Sequence, residues 1–364
     1  MSKRCGGTNS ASNAFLFGNQ NGVKVGAIRW DAWYDTSTIS PQMEASLGPN
    51  EYHWRAPWFS VPGNNTISIK GRPSQSTMDQ EIQWAAYCGL SYWAFVRYDP
   101  FDAPMSNGWN LYEASAYKDL IPWCMINSFN GFSVELNLDT AAFVSLINQS
   151  HYFKYGTRPI IFILDDGNSS LATTAITTLR SASSSAGKPD PYVVVMVSGG
   201  TTARACDALR ATVGGNAISS YVYELPGNYS SYKELDISVR KFWKTQSIYE
   251  CIPIGVLGWN RTPRIIHPVS WEGWQSPGVG LSFVYQYPSD TDELADHVQA
   301  LINFTNANVA SKLSLIYAWN EHDEGGWMCP TLTNSGPDTS RIEALKKVLS
   351  AQVSYTYSSR NKII

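Results

Sequence analysis

The sequence predicts an α/β chain folded as a single (β/α)8 TIM barrel, and three observations predict it. Eight short apolar runs of β-forming residues recur along 364 residues. Stretches with helical spacing separate them. Polar and aromatic residues follow the end of nearly every run. Strands that are apolar throughout are expected when helices cover both faces of a parallel sheet. Eight such alternations in one chain fit a closed barrel. A doubly wound open sheet is the alternative, but no GxGxxG loop follows the first run.

The first run is VKVGAIRW (23–30), with Trp30, Asp31, Trp33 and Tyr34 at its end. A long connection carrying Trp54 and Trp58 leads to a helix over 78–89. The second run, LSYWAFVR (90–97), ends in Arg97, Tyr98 and Asp99, and a weaker helical pattern lies near LYEASAYKD. The third, LIPWCMIN (120–127), ends in Asn127 and precedes a helix over 141–155. PIIFILDD (159–166) ends in Asp165 and Asp166, before a helix over 170–183. PYVVVMVS (191–198) is followed by a weak helix in TTARACDALR. AISSYVYE (217–224) ends in Tyr223 and Glu224, before a helix over 230–245. CIPIGVLGW (251–259) leads into Trp259, Asn260, Arg261 and Arg264. The second long connection follows, with Trp271 and Trp274, and then a helix over 292–305. LSLIYAWN (313–320) ends in Asn320, Glu321, His322, Asp323 and Glu324, before a helix over 340–350. The C-terminal face of such a barrel carries the active site. Trp30, Arg97, Asp165, Arg264 and Glu321 are therefore expected at one end, under the long loops after strands 1 and 7. The barrel is assigned to 23–355, and 1–22 to a flexible N-terminal arm.

Hydrophobic residues make up 43% of the chain, so a large core is expected. A net charge of −3 gives no electrostatic reason to expect nucleic acid or an anionic membrane as partner. No apolar run approaches a membrane span, so no membrane insertion is expected. The six scattered cysteines include no CxxC pair and read as free, packed thiols. The basic start MSKRCGGTNSASNAFLFG has no apolar h-region and is not a signal peptide as written. The compartment stays open: an extracellular, cell-surface or virion-surface location would need a leader or fusion partner beyond this sequence.

Fourteen Trp and 20 Tyr exceed what a core of this size needs, and many adjoin Gly, Asn, Asp or Arg at run ends. Sugar rings stack on such side chains while polar neighbours bind their hydroxyls. This reading predicts an elongated groove for an oligo- or polysaccharide, with Trp33, Tyr98 and Trp259 among its stacking surfaces. Glu321 and Glu324 are three apart, which sets two carboxylates side by side if the chain turns helically. Two acids in one cleft can divide into a protonated acid and an ionised base, as glycosidic cleavage requires. Alone, an ExxE pair is more often a solvated or helix-capping cluster; its place after a buried strand favours catalysis. Gly325 and Gly326 allow a tight turn. Asp323, at the neighbouring position, is expected to point elsewhere and matter little.

The stretch WNEHDEGGWMCP resembles the WNEW-x-EG-x-x-x-EP signature of the family 99 glycoside hydrolases and the related WbsX-type polysaccharide proteins. GWNRTPR resembles their GWDNTPR turn, KYGTRPIIFIL their fourth strand, and MDQEIQWAAYCGLSYWAFVRYDP their helix–strand segment. The resemblance spans roughly residues 23–330. It implies a (β/α)8 barrel and retaining, endo-acting cleavage of α-linked glycans, typically α-mannosides. By position, Glu321 matches the residue that deprotonates the substrate's 2-hydroxyl, which attacks C1 to give a 1,2-anhydro sugar. Glu324 matches the acid/base that protonates the leaving oxygen. Substrate-binding residues are then Trp30, Asp31, Trp33, Tyr34, Arg97, Tyr98, Asn127, Asp165, Tyr223, Trp259, Arg264 and Asn320. Three departures stand out: His322 replaces an aromatic residue, Asp323 precedes Glu324, and Cys329 replaces the Glu of the EP pair.

Three other readings compete. A metal site at 321–324 lacks HExxH, and adjacent residues of a turn rarely face one ion. A non-catalytic carbohydrate-binding or attachment barrel would keep the aromatics without needing both glutamates. Glycosyl transfer in polysaccharide assembly lacks a nucleotide-binding loop. No metal or cofactor is expected, and His53, His151, His267 and His297 read as structural or surface residues.

Overall fold

The computed structural model describes residues 22–34, 39–98, 104–223, 231–271 and 291–350. Eight parallel strands form its centre: β1 (Lys24–Arg29), β2 (Tyr92–Val96), β3 (Trp123–Ser128), β4 (Arg158–Leu164), β5 (Tyr192–Val197), β6 (Ala217–Ser220), β7 (Ile254–Val256) and β8 (Leu313–Tyr317). They pair in the order β7-β8-β1-β2-β3-β4-β5-β6. The ring nearly closes: Ile218 of β6 bridges Cys251, just before β7, and Ile252 N–H donates to the Ile218 carbonyl at 2.9 Å. The chain is a (β/α)8 barrel.

The strands form where both faces are covered. Every residue of β5 (YVVVMV) and β8 (LSLIY) is buried, which excludes alternating polar positions. The outer helices carry one apolar stripe each and are stopped by local chemistry. Tyr232–Gln246 starts in a capping box, Ser231 and Glu234 satisfying each other's backbone N–H groups. Helices Gln75–Cys88, Ser169–Ser185, Ala203–Val213, Thr291–Asn308 and Ser340–Ser350 lie where the sequence pattern puts them.

Between β3 and β4 the structure differs from the expected single helix over 141–155. Two helices stand there, Phe129–Leu138 and Thr140–Ile147. Asp139 breaks the chain in extended conformation, and its side chain caps the second helix by accepting from Ala142 N–H at 2.9 Å. Past Ile147 the chain reaches Lys154–Tyr155, which pairs antiparallel with Arg158–Pro159 at the start of β4. Near LYEASAYKD the helix is Asn107–Ala114, with a single 3-10 turn at Lys118–Leu120.

The connection after β1 is built rather than loose. It holds helix Ser40–Leu47, the 3-10 helix Asn50–Arg55, and a hairpin pairing Val61–Gly63 with Thr66–Ser68. After β7 comes a short helix, Thr262–Ile266, with Pro263 in its first turn. Asp99, Glu224 and Trp274, with residues 1–21 of the expected arm and 351–355 of the expected barrel, lie outside the described residues. Five described cysteines (Cys88, Cys124, Cys206, Cys251, Cys329) are free and buried. No helix among the described residues is long and apolar enough to cross a membrane.

Candidate active site

Beyond β8 the chain makes a hairpin, not the helical turn expected for 321–324. Asn320–Glu321 pairs antiparallel with Gly326–Trp327, and His322 to Gly325 form the connection. Two glycines make this possible. Gly325 has φ +86°, and a Cβ there would lie 2.4 Å from Asn260 N. A Cβ on Gly326 would strike the Tyr317 ring at 2.5 Å.

Neighbouring loops pin the hairpin from several sides. Asn260 N–H donates to the Glu324 carbonyl at 2.8 Å. Arg55 donates to the His322 carbonyl at 2.6 Å and to the Asn260 carbonyl at 2.8 Å, tying the β1 connection to both. Trp33 Nε1 donates to the Asn320 carbonyl at 2.7 Å, while the Asn320 side chain accepts from Trp30 N–H and donates to Asp31.

This frame presents three buried acids to two arginines. Arg264 makes a forked pair with Asp323, Nε to Oδ2 at 2.6 Å and Nη2 to Oδ1 at 3.1 Å. Its Nη1 donates to Glu324 Oε1, and its Nη2 lies 3.5 Å from Glu321 Oε2. Arg261 Nη2 adds a second contact to Glu324 Oε1 at 3.0 Å. Tyr317, within β8, donates to Glu324 Oε2. Tyr221, one residue past β6, donates to Glu321 Oε1 at 3.1 Å.

The two glutamates therefore sit in unlike surroundings. Glu321 is 2% exposed, and its Oε2 accepts no hydrogen bond from the described residues. Burial, then the charge of Glu324, pushes the Glu321 carboxyl well above the usual glutamate range. Asp323 adds to that rise, while Arg264 and the Tyr221 hydroxyl oppose it. Glu324 is 6% exposed and has donors on both oxygens. Asp323, expected to matter little, instead holds Arg264 in place.

A second acid–arginine cluster lies beside the first. Arg29, the last residue of β1, pairs with Glu81 at 2.6 Å and Asp31 at 2.9 Å. Trp319 Nε1 donates to the same Glu81 oxygen at 3.0 Å. Burial raises the Asp31 carboxyl despite the Arg29 charge.

The remaining expected residues fall into distinct groups. Trp30, Arg97, Asp165, Arg264 and Glu321 all follow or end parallel strands at the same end of the barrel. Asp31, Trp33, Tyr34, Asn127, Trp259 and Asn320 are buried, as are Trp30, Arg264, Glu321 and Glu324. Trp33, at 1% exposure, uses its N–H on the hairpin and its ring against His322, so it offers no open face to a sugar. Tyr34 packs beside Arg29, and the Trp259 ring lies against Tyr317 and Arg261. Arg97 and Asn127 converge on Glu135, forming a separate polar group under Trp109. Asp165 is exposed and accepts from Gly167 N–H at 2.9 Å, shaping a turn. Tyr98 is half-buried and accepts from Trp30 Nε1. Tyr223 is half-buried, stacked on Phe242 at 4.3 Å. It lines a cavity of about 370 Å³ with Gly200, Thr201, Thr202 and Arg204.

Sequence reasoning missed Tyr221, Tyr317 and Arg55 as partners of the hairpin. Tyr221 lies inside the expected strand over 217–224, whereas the strand ends at Ser220 and leaves Tyr221 just past it. Tyr317 is a buried hydroxyl at the end of strand LSLIY, a type of group that usually has a partner. Arg55 had no local signal. His322 is fully buried between Trp33 and Trp327, and its Nδ1 lies 2.9 Å from the Arg55 carbonyl. Burial lowers its pKa to about 3, so it stays neutral and packs as the aromatic ring it replaces.

No protein-family model and no curated protein matches the chain. Solved structures do. A GH99 endo-alpha-mannosidase from Bacteroides thetaiotaomicron, in complex with bis-tris-propane, aligns with a TM-score of 0.56 at 13% identity. The alignment covers 92% of this chain and 98% of that one. A second structure of the GH99 endo-alpha-mannosidase from that organism aligns at 0.51 and 12% identity, with the same coverage. The chain shares their fold over nearly its whole length.

Proposed function

We propose that the protein is a glycoside hydrolase that cleaves an α-linked glycan internally, with Glu321 and Glu324 as the reacting carboxylates. One observation carries this reading: a buried glutamate oxygen, Glu321 Oε2, accepts no hydrogen bond from the described residues and lies beside a second glutamate that two arginines hold. The shared fold with an endo-alpha-mannosidase and the WNEHDEGG stretch support α-mannan-like substrates.

In the proposed reaction the sugar's 2-hydroxyl gives its proton to Glu321 Oε2. Its oxygen bonds to C1 as the glycosidic C1–O bond breaks, and Glu324 delivers a proton to the departing oxygen. Water then attacks C1 and passes its proton to Glu324, while the C1–O2 bond opens and O2 recovers a proton from Glu321. The product keeps its anomeric configuration. The negative neighbours of Glu321 suit it to this work, because a carboxylate that binds protons more tightly is a better base towards a hydroxyl. Arg261, Arg264 and Tyr317 place donors on both oxygens of Glu324, whereas the Glu321 carboxyl is pushed well above the usual glutamate range. That observation favours a second allocation, in which Glu321 holds the proton and Glu324 is the base.

The test is digestion of α-mannan and other α-linked polysaccharides, read by product sizing, with wild type, Glu321→Gln and Glu324→Gln in parallel. Shorter oligosaccharides from wild type alone support the proposal. Binding of these glycans with no cleavage by wild type would identify a carbohydrate-binding barrel instead.

A further inference from the structure

We propose that Asp323 is a positioning residue that sets the proton inventory of the Glu321–Glu324 pair by fixing Arg264 between them. The functional weight of this inference rests on the reading of that pair as the reacting groups. The proton inventory itself does not.

The geometry points to Asp323 as a clamp. It is fully buried and grips Arg264 through two parallel contacts, the arrangement with the strongest directional preference for a guanidinium. Ser46, from the helix in the β1 connection, donates to Asp323 Oδ2 at 3.3 Å and steadies it. With Nε and Nη2 held, Nη1 of Arg264 is directed at Glu324 and Nη2 stays 3.5 Å from Glu321. One cation is thus divided among three carboxyls. Among the described residues, the groups facing Glu321 are Glu324 and Asp323 on its own hairpin, Arg264 from the helix after β7, and Tyr221 from the end of β6. Tyr317 of β8 faces the same pair, and Tyr98, past β2, faces Tyr221.

Asp323 acts on Glu321 in two ways with one sign. Its negative charge disfavours ionisation of Glu321 directly. Its pairing also neutralises much of the Arg264 charge that would otherwise stabilise the Glu321 anion. Removing the Asp323 charge should therefore make Glu321 a stronger acid on both counts. Removing the Arg264 charge should do the reverse.

The experiment is a carboxyl titration by 13C NMR on protein labelled at the glutamate δ-carbon, with the Glu321 signal identified by its loss in Glu321→Gln. Asp323→Asn keeps the shape and should lower the Glu321 midpoint by at least about one pH unit. Arg264→Gln should raise it. An unmoved midpoint, or a shift of the same sign in both variants, overturns the proposal. If both variants lose their fold, read by circular dichroism, the pair is a structural pin and the proposal is also overturned. No substrate is needed, so a protein that cuts no glycan would refute the proposed function while leaving this result intact. Where a glycan is cleaved, the rate–pH limb assigned to Glu321 should move with the NMR midpoint.

Discussion

Two buried clusters at the C-terminal end of the barrel each hold one more carboxyl than guanidinium among the described residues, yet they are built to different ends. The first joins Arg29 to Asp31 and Glu81; the second joins Arg261 and Arg264 to Glu321, Asp323 and Glu324. In the first, every buried oxygen of Asp31 and Glu81 has a hydrogen-bond partner. In the second, Glu321 Oε2 has none among the described residues. Burial and net charge do not separate the two sets of carboxyls; the hydrogen bonding of their oxygens does, although Arg29 Nη2 in the first cluster also lacks a partner among the described residues. A buried carboxyl oxygen without a donor raises the energy of the folded state unless a ligand meets it.

The largest effect should fall on turnover. Replacing either Glu321 or Glu324 with Gln should slow cleavage of a natural glycan by roughly a hundred- to ten-thousand-fold, the span for a lost acid or base. The two variants should then separate on an activated aryl glycoside, whose leaving group departs without a proton. The variant lacking the acid should recover much of its first step, and the variant lacking the base should not. Recovery in Glu324→Gln supports the first allocation, and recovery in Glu321→Gln supports the second. Equal loss on both substrates would show that the clusters do not differ in the way proposed.

Next in size is a stability change in the Arg29 cluster. Glu81→Ala leaves Arg29 buried beside a single remaining acid, which should cost about 3–5 kcal/mol in denaturant unfolding. Glu321→Gln should cost little or stabilise, since it removes a buried, incompletely bonded charge. If the two substitutions destabilise alike, the comparison breaks.

A smaller and more specific effect is the pH dependence of that difference. Glu321 has a raised value in the folded state, so the folded protein binds more protons than the unfolded chain between the ordinary glutamate value and the raised one. Stability must then fall as pH rises through that window and be fully present below it. The slope is at most about 1.4 kcal/mol per pH unit for one proton. Glu321→Gln should lack this decline, so its advantage over wild type should widen with pH. A constant difference across the window would contradict the placement of Glu321 in an anion-disfavouring site.

The barrel was legible because its strands are buried on both faces, leaving unbroken runs such as YVVVMV and LSLIY that need no long-range information. The helix over 141–155 misled because Asp139 and Asn148 act through local caps, which an averaged apolar pattern does not register. In the site, Glu321 and Glu324 were visible as acids at the mouth of a buried strand. Their surroundings were not, since the Tyr221–Glu321 and Arg55–His322 contacts join residues 100 and 267 positions apart. The same limit applies to the aromatics. Sequence placed Trp33 at a strand end and Trp271 in the long connection after strand 7, and only packing shows that one is enclosed and the other open.

That contrast gives the smallest prediction. Trp271 is 39% exposed, meets Trp30 edge-on at 5.9 Å, and lies beside the Arg264 guanidinium at the same distance. It is the open aromatic face described next to the carboxylates, where a sugar ring bound at the reacting glutamates would extend. Trp271→Ala should weaken binding of an oligosaccharide by about 0.5–1.5 kcal/mol, the scale of an aromatic contact beyond its buried area. That is roughly a two- to twelve-fold rise in Kd, measurable by calorimetry on the Glu321→Gln protein so that no cleavage intervenes. Unfolding free energy should change less than for an enclosed tryptophan, because this ring is 39% exposed. Trp33→Ala should show the opposite pattern, losing about 3–5 kcal/mol of stability through the cavity it leaves. Its effect on binding should come only through displacement of the Asn320 backbone it holds. If Trp271→Ala leaves Kd unchanged, or costs as much stability as Trp33→Ala, the open face is not a sugar platform and the groove runs elsewhere.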